Sequence, residues 1–129
     1  MNLTRSVRLL AASSLTLLAG LAQALTIQPY SAQAFATAQA EGKPVAVHFH
    51  ADWCGTCKQQ ERAFQQLKGE AGLDLVMLVA DYDKEKDLRR QMKVRSQSTL
   101  VVFRGTAEKA RVGGETDPAK LRGALKTAL

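Results

Sequence analysis

Residues 44–58 read Pro44-Val45-Ala46-Val47-His48-Phe49-His50-Ala51-Asp52-Trp53-Cys54-Gly55-Thr56-Cys57-Lys58. The first seven alternate: Val45, Val47 and Phe49 fall on one face of an extended chain, Ala46, His48 and His50 on the other. That predicts a strand over Pro44 to His50. From the Cys54/Cys57 segment to about Lys68 the period lengthens, with Phe64 and Leu67 on one side and Lys58, Gln59, Arg62 and Gln66 on the other, which predicts a helix. A C-x-x-C pair taken alone either closes a small disulfide ring or supplies half of a metal site. Here the pair sits where a buried strand gives way to a helix. At that point free N–H groups and the helix dipole favour a thiolate on Cys54, lowering a thiol pKa from about 8.5 to about 7 or below. Cys57, one turn further in, is expected to be more buried. The pair therefore divides into an attacking sulfur, Cys54, and a resolving sulfur, Cys57.

Working outward, Leu25 to Gln28 reads as a short edge strand stopped by Pro29. Ser31 caps a helix that runs to Glu41, with Ala34, Phe35, Ala38 and Ala40 on its buried side, and ends at Gly42. Downstream, Leu73 to Ala80 is almost wholly apolar, as a strand buried on both faces would be. Asp83 is placed to cap a short charged helix reaching Lys93, with Leu88 and Met92 inward. Thr99 to Phe103 is a further buried strand, Arg104-Gly105-Thr106 a turn, and Lys109 to Val112 a last strand broken by Gly113-Gly114. Asp117-Pro118 pairs an N-cap with proline at the first helical position, and Leu121, Ala124, Leu125 and Ala128 give the terminal helix its apolar stripe. The order β-α-β-α-β-α-β-β-α predicts one α/β domain, with a central mixed sheet and helices on both faces.

The two ends of the chain differ in kind. Arg5 and Arg8, the uncharged stretch Leu9 to Leu21, and the small residues of Ala22-Gln23-Ala24 form a secretory signal, so residues 1–24 are expected to be removed and 25–129 to form the domain. Thirteen uncharged residues span roughly 20 Å as a helix, short of a hydrocarbon core of roughly 30 Å, so no stable membrane anchor is expected after cleavage. Losing Arg5 and Arg8 lowers the formal charge from +6 to +4. The remaining charges are mixed in sign, as in Lys84, Glu85, Lys86, Asp87, Arg89 and Arg90, and aromatics are only 5% of the chain, which argues against a nucleic-acid partner. Two cysteines are too few for a disulfide-stapled scaffold, and export to a periplasmic or extracellular space is compatible with a redox-active disulfide.

Phe49-His50-Ala51-Asp52-Trp53-Cys54-Gly55-Thr56-Cys57-Lys58 resembles the active-site segment of the thioredoxin superfamily, and the element order resembles its fold. The likeness covers roughly residues 25–129 and extends to Thr99-Leu100-Val101-Val102-Phe103 and to Gly113 on the substrate-facing rim. It implies a thiol–disulfide oxidoreductase that needs no cofactor beyond the Cys54–Cys57 disulfide. Trp53, Gly55, Thr56, Ser98, Thr99 and Gly113 would contact substrate. Cysteine-containing proteins would be the substrates, a membrane thiol reductase the electron donor, and a monomer the working form.

Three residues depart from the family pattern. Ser98 stands where the family places a cis-proline, so either the Gln97–Ser98 bond is a strained cis bond or the loop is reshaped. His48 stands where a buried acid accepts the resolving thiol's proton. A neutral imidazole can do the same, and a packed, hydrogen-bonded core histidine is the competing reading. Val79 replaces the lysine paired with that acid, a coherent double loss, because either charge left alone would be buried and unpaired. Thr56, where thioredoxins carry proline, offers a hydroxyl to the Cys54 thiolate. The reading is a secreted or periplasmic enzyme that reduces protein disulfides. Alternatives are net oxidation or isomerisation, a metal-handling protein using Cys54, Cys57 and one of His48 or His50, and a non-catalytic binding module on the same scaffold.

Overall fold

The computed structural model describes residues 24–129; the expected secretory signal lies outside the described residues except for Ala24. Nine elements follow in the expected order. They are β1 (Thr26–Pro29), α1 (Ala32–Ala40), β2 (Pro44–His50), α2 (Gly55–Lys68), β3 (Val76–Asp81), α3 (Lys86–Met92), β4 (Thr99–Arg104), β5 (Ala107–Gly113) and α4 (Pro118–Lys126). They make one five-stranded sheet in the order β1-β3-β2-β4-β5. β3 runs parallel to β1 and β2, whereas β4 is antiparallel to β2 and to β5. β2 thus lies at the centre, and its C-terminal end delivers the chain to the cysteines.

The sheet is covered on both faces, as its alternating pattern requires. Ala46, Leu100 and Val102 pack with Phe64 and Leu67 of α2 and Leu121 and Leu125 of α4. Val45, Val47, Phe49, Leu78 and Val101 pack on the other side with Leu88 and Met92 of α3, joined by Ala34, Phe35 and Ala38 of α1. Burying a leucine or phenylalanine side chain is worth about 1.5–3 kcal/mol, so these two layers supply most of what holds the fold. Ser31 caps α1 by accepting the Ala34 N–H, and Asp117 caps α4 by accepting the Ala119 N–H, with Pro118 first in the helix.

Several boundaries move: β1 takes in Pro29, β5 runs from Ala107 through Gly113, Ala40 of α1 is exposed, and β3 and α3 start later than expected. β3 begins at Val76, not Leu73: Leu73 and Leu75 are buried but precede the sheet pairing, so their hydrophobicity marks a buried approach, not a strand. Asp83 does not cap α3, which starts at Lys86 behind Glu85 with no side-chain cap. Instead Asp81 Oδ1 accepts the N–H groups of Asp83 and Lys84, closing a turn, and the Asp83 carboxylate is used elsewhere. Among the described residues no helix is long and apolar enough to cross a membrane.

Candidate active site

Strand β2 ends at His50, a short turn follows, and Cys54 becomes the N-cap of α2 with extended backbone (φ −93°, ψ 110°). Its Sγ accepts the N–H of Cys57 at 3.1 Å, the position a serine or aspartate oxygen fills in an ordinary cap. Both cysteines are free and buried, Cys54 at 4% exposure and Cys57 at 0%, so the first sulfur lies just beneath the surface and the second behind it. Burial opposes ionisation of Cys54. Hydrogen bonds from the Cys57 thiol, the Ser98 hydroxyl and the N–H groups of Cys57 and Thr56 outweigh it and hold the Cys54 pKa below the usual thiol value. Burial and the neighbouring Cys54 push Cys57 the other way, up. Of the two sulfurs, Cys54 is the one that ionises more readily and Cys57 the one that holds its proton more tightly.

Ser98 lies across both sulfurs. Its Oγ is 3.1 Å from Cys54 Sγ and 3.2 Å from Cys57 Sγ. Among the described residues there is no cis peptide bond, and Ser98 instead takes the left-handed conformation at φ 62°. The loop is reshaped. A non-glycine residue there costs about 1–2 kcal/mol, and three hydrogen bonds fix it: Ser98 N–H donates to Phe49 O, while Ser98 O accepts from Gly114 N–H and Gln60 Nε2. The hydroxyl brought to Cys54 is therefore that of Ser98, and Thr56 contributes its backbone N–H.

His48 is 1% exposed and bonded through Nε2 to Gln60 Oε1 at 2.8 Å. Burial, opposed only in part by that bond, lowers its pKa to about 4. Cys57 Sγ lies against Ser98 Oγ and, at 3.9 Å, Phe49 O, and also interacts with Cys54 Sγ and the Ala51 backbone. Val79 pairs with His48 across the β2–β3 register, and both line a cleft of about 250 Å³ with Ile27, His50, Glu61 and Phe64. His50 Nδ1 is 3.7 Å from Asp52 and Nε2 is 3.8 Å from Glu61, with no hydrogen-bond partner on Nε2. Among the described residues no three His, Cys, Asp or Glu side chains converge as a metal site would need.

The residues expected to meet substrate have the following settings. Trp53 is 62% exposed and its indole N–H donates to Asp83 Oδ2 at 2.7 Å, the use to which that carboxylate is put. Gly55 is exposed at the start of α2, and Thr56 beside it is half-buried. Thr99 pairs with Gly113 in the β4–β5 register and donates its hydroxyl to Ser96 O. Two residues were missed in the sequence. Tyr82 packs against Ala51, Cys54 and Cys57 and carries the Arg89 guanidinium 3.9 Å over its ring. Gln60 is fully buried, and its Nε2 donates to both Ser98 O and Glu115 O. The spacing of Cys57, Gln60, Phe64 and Leu67 along one helical face was the available signal.

A family model described as Thioredoxin matches residues 26–127. The crystal structure of Trxlp from Edwardsiella tarda superposes with a TM-score of 0.73 at 40% identity, covering 78% of this chain and 98% of that one. Thioredoxin of Mycobacterium bovis is 36% identical over 81 residues, 62% of this chain and 70% of that protein. The bifunctional thioredoxin reductase/thioredoxin of Mycobacterium leprae is 31% identical over 97 residues, 75% of this chain; the matched region is only 21% of that relative's length.

Proposed function

The chain belongs to the thioredoxin family of thiol–disulfide oxidoreductases, and from that premise we propose an exported enzyme that reduces protein disulfides through Cys54 and Cys57. One observation carries the chemistry: Cys54 is the N-cap of α2, with its sulfur under hydrogen bonds that favour the thiolate, and Cys57 is protonated behind it. Cys54 thiolate attacks a substrate disulfide, forming a mixed disulfide and expelling one substrate thiolate. Cys57 then attacks Cys54 Sγ, releasing the second substrate sulfur and closing Cys54–Cys57. Trp53, Gly55, Thr56, Ser98, Thr99 and Gly113 form the surface that meets the substrate chain.

Export rests on the arginines, apolar stretch and small residues of the first 24 positions, and predicts a mature N-terminus at Leu25 on N-terminal sequencing of the secreted or periplasmic protein. In that compartment the oxidised pair needs a donor, and a membrane thiol reductase is the partner proposed, with the enzyme acting as a monomer. Cys57→Ser tests the whole reading. It leaves Cys54 able to attack and nothing to resolve, so substrates accumulate as mixed disulfides on Cys54. Partners whose cysteines are otherwise found oxidised support reduction. Trapped partners whose cysteines are otherwise disulfide-bonded only when the wild-type enzyme is present reverse the direction to net oxidation, which the stabilised Cys54 thiolate also favours. No trapped species, together with an intact phenotype in Cys54→Ser, overturns the enzyme reading in favour of a binding module.

A further inference from the structure

Resolution of the mixed disulfide raises a problem that the cysteines alone leave open. Cys57 begins the step as a thiol whose proton is held above the usual thiol range, and it must lose that proton to attack. His48, the group the family resemblance offers for the task, is bonded to Gln60 and is not within hydrogen-bond distance of either sulfur. Gln60 Nε2 spends its two hydrogens on Ser98 O and Glu115 O, so Gln60 Oε1 can only accept. The proton of the neutral His48 ring is therefore on Nε2 and is donated to Gln60. Among the described residues the side-chain group within hydrogen-bond distance of both sulfurs is the Ser98 hydroxyl.

We propose that the Ser98 hydroxyl is a catalytic proton relay from Cys57 to the departing substrate sulfur, and that Gln60, held by His48, is the positioning residue that keeps it in line. The proposal rests on the dithiol exchange described above. Before attack, the Cys54 thiolate can only accept, and it takes the Ser98 hydroxyl proton at 3.1 Å beside the Cys57 thiol's own hydrogen bond, so the Ser98 oxygen, 3.2 Å from Cys57 Sγ, is the acceptor open to the Cys57 proton once that thiolate is spent. Once Cys54 is bonded to substrate, the same hydroxyl faces the new disulfide. Cys57 Sγ attacks Cys54 Sγ, the Cys54–substrate bond breaks, and its electron pair leaves on the substrate sulfur. In the same step Cys57 passes its proton to Ser98 Oγ, and Ser98 passes its own to the substrate sulfur. Ser98 ends as it began, the pair ends oxidised and the substrate ends as a thiol. The left-handed backbone of Ser98 turns its hydroxyl onto the sulfurs, and Gln60 on Ser98 O resists its relaxation.

The test is single-turnover reduction of a peptide holding one disulfide, acid-quenched and resolved by mass, so that attack and resolution are timed separately. Ser98→Gly is the informative variant, because glycine adopts φ 62° freely and only the hydroxyl is lost. Wild type is expected to pass through the mixed disulfide without accumulating it, at a resolution rate that is flat between pH 6 and 8. In Ser98→Gly the mixed disulfide accumulates, resolution falls on the order of 10²-fold, and its rate climbs about tenfold per pH unit as hydroxide takes over. Gln60→Leu shows the same pH slope with a smaller loss, a signature that mere loosening of the fold would not produce. A Ser98→Gly protein that resolves at the wild-type rate, or that slows in both steps equally without a new pH slope, overturns the relay. Should that variant not fold, wild type decides the matter in mixtures of light and heavy water. A curved proton inventory on resolution supports two protons in flight, and a linear one overturns them. A wild-type chain that reduces no disulfide at all would break the exchange reading, whereas these outcomes break the relay alone.

Discussion

Val45, Val47 and Phe49 turn one face of β2 toward α1 and α3, while Ala46, His48 and His50 turn the other toward α2. Seven consecutive residues therefore serve two environments. On the first face the side chains pack into an apolar cluster, and burial there needs no partners beyond good packing. On the second, His48 is buried nearly as completely, and a buried polar group must be hydrogen-bonded, so it draws in Gln60, which draws in the Ser98 and Glu115 carbonyls. Packing can be met by many residues of similar volume, whereas a hydrogen-bond chain specifies one orientation for each member. The fold is held by the first kind of face, and the sulfurs are aimed by the second.

That contrast can be broken by experiment. Leu78→Ala, opposite Val47 on the apolar face, is expected to cost about 3–4 kcal/mol in urea unfolding, by the same amount at every pH between 5 and 8 and without altering the midpoint of Cys54 alkylation. A change in thiol reactivity would show that the two faces are not separable. On the polar face the effect is pH-dependent. The folded pKa of His48, about 4, lies below an unfolded value of about 6.5, so the unfolded chain takes up the proton first as pH falls. The stability that goes with a neutral His48 is complete above about pH 6.5 and drains away toward pH 4, by about 3 kcal/mol in all. His48→Gln should flatten that limb, and an unchanged limb would remove His48 from its cause. Glu70, Asp81 and Glu115, held below the usual carboxylate range, add their own losses only at lower pH. The smallest effect belongs to neither face. Arg122 of α4 grips Glu70, just past the end of α2, with two hydrogen bonds, but both side chains are about a third exposed, and Arg122→Ala should move the urea midpoint only slightly while leaving the pH limb in place.

The same contrast decides what could be read in advance. Alternation over Pro44–His50, the Ser31 and Asp117-Pro118 caps and the stripe of α4 are local signals, and they placed their elements to within a residue or two. Hydrophobicity without pairing misled at Leu73 and Leu75, because a buried loop and a buried strand look alike in composition. Asp83 looked like a cap since its sequence position suits one, but the indole of Trp53 thirty residues away had the prior claim. The cysteines were legible because a strand–helix junction fixes their setting. The trans, left-handed backbone of Ser98 and the burial of Gln60 were not, since both depend on hydrogen bonds closed over 38 and 55 positions.

Trp53, the sole tryptophan of the chain, stands next to Cys54, largely in water, with its indole N–H on Asp83. Its intrinsic fluorescence therefore observes the redox centre and not the interior. Emission is expected to be red-shifted already in the native protein, to change in intensity when the neighbouring sulfurs are oxidised, and to shift little on denaturation. A fluorescence-monitored melt would follow the loosening of one turn, whereas far-ultraviolet dichroism would follow the sheet. The single indole is an optical gauge of the disulfide, supplied by the chain itself.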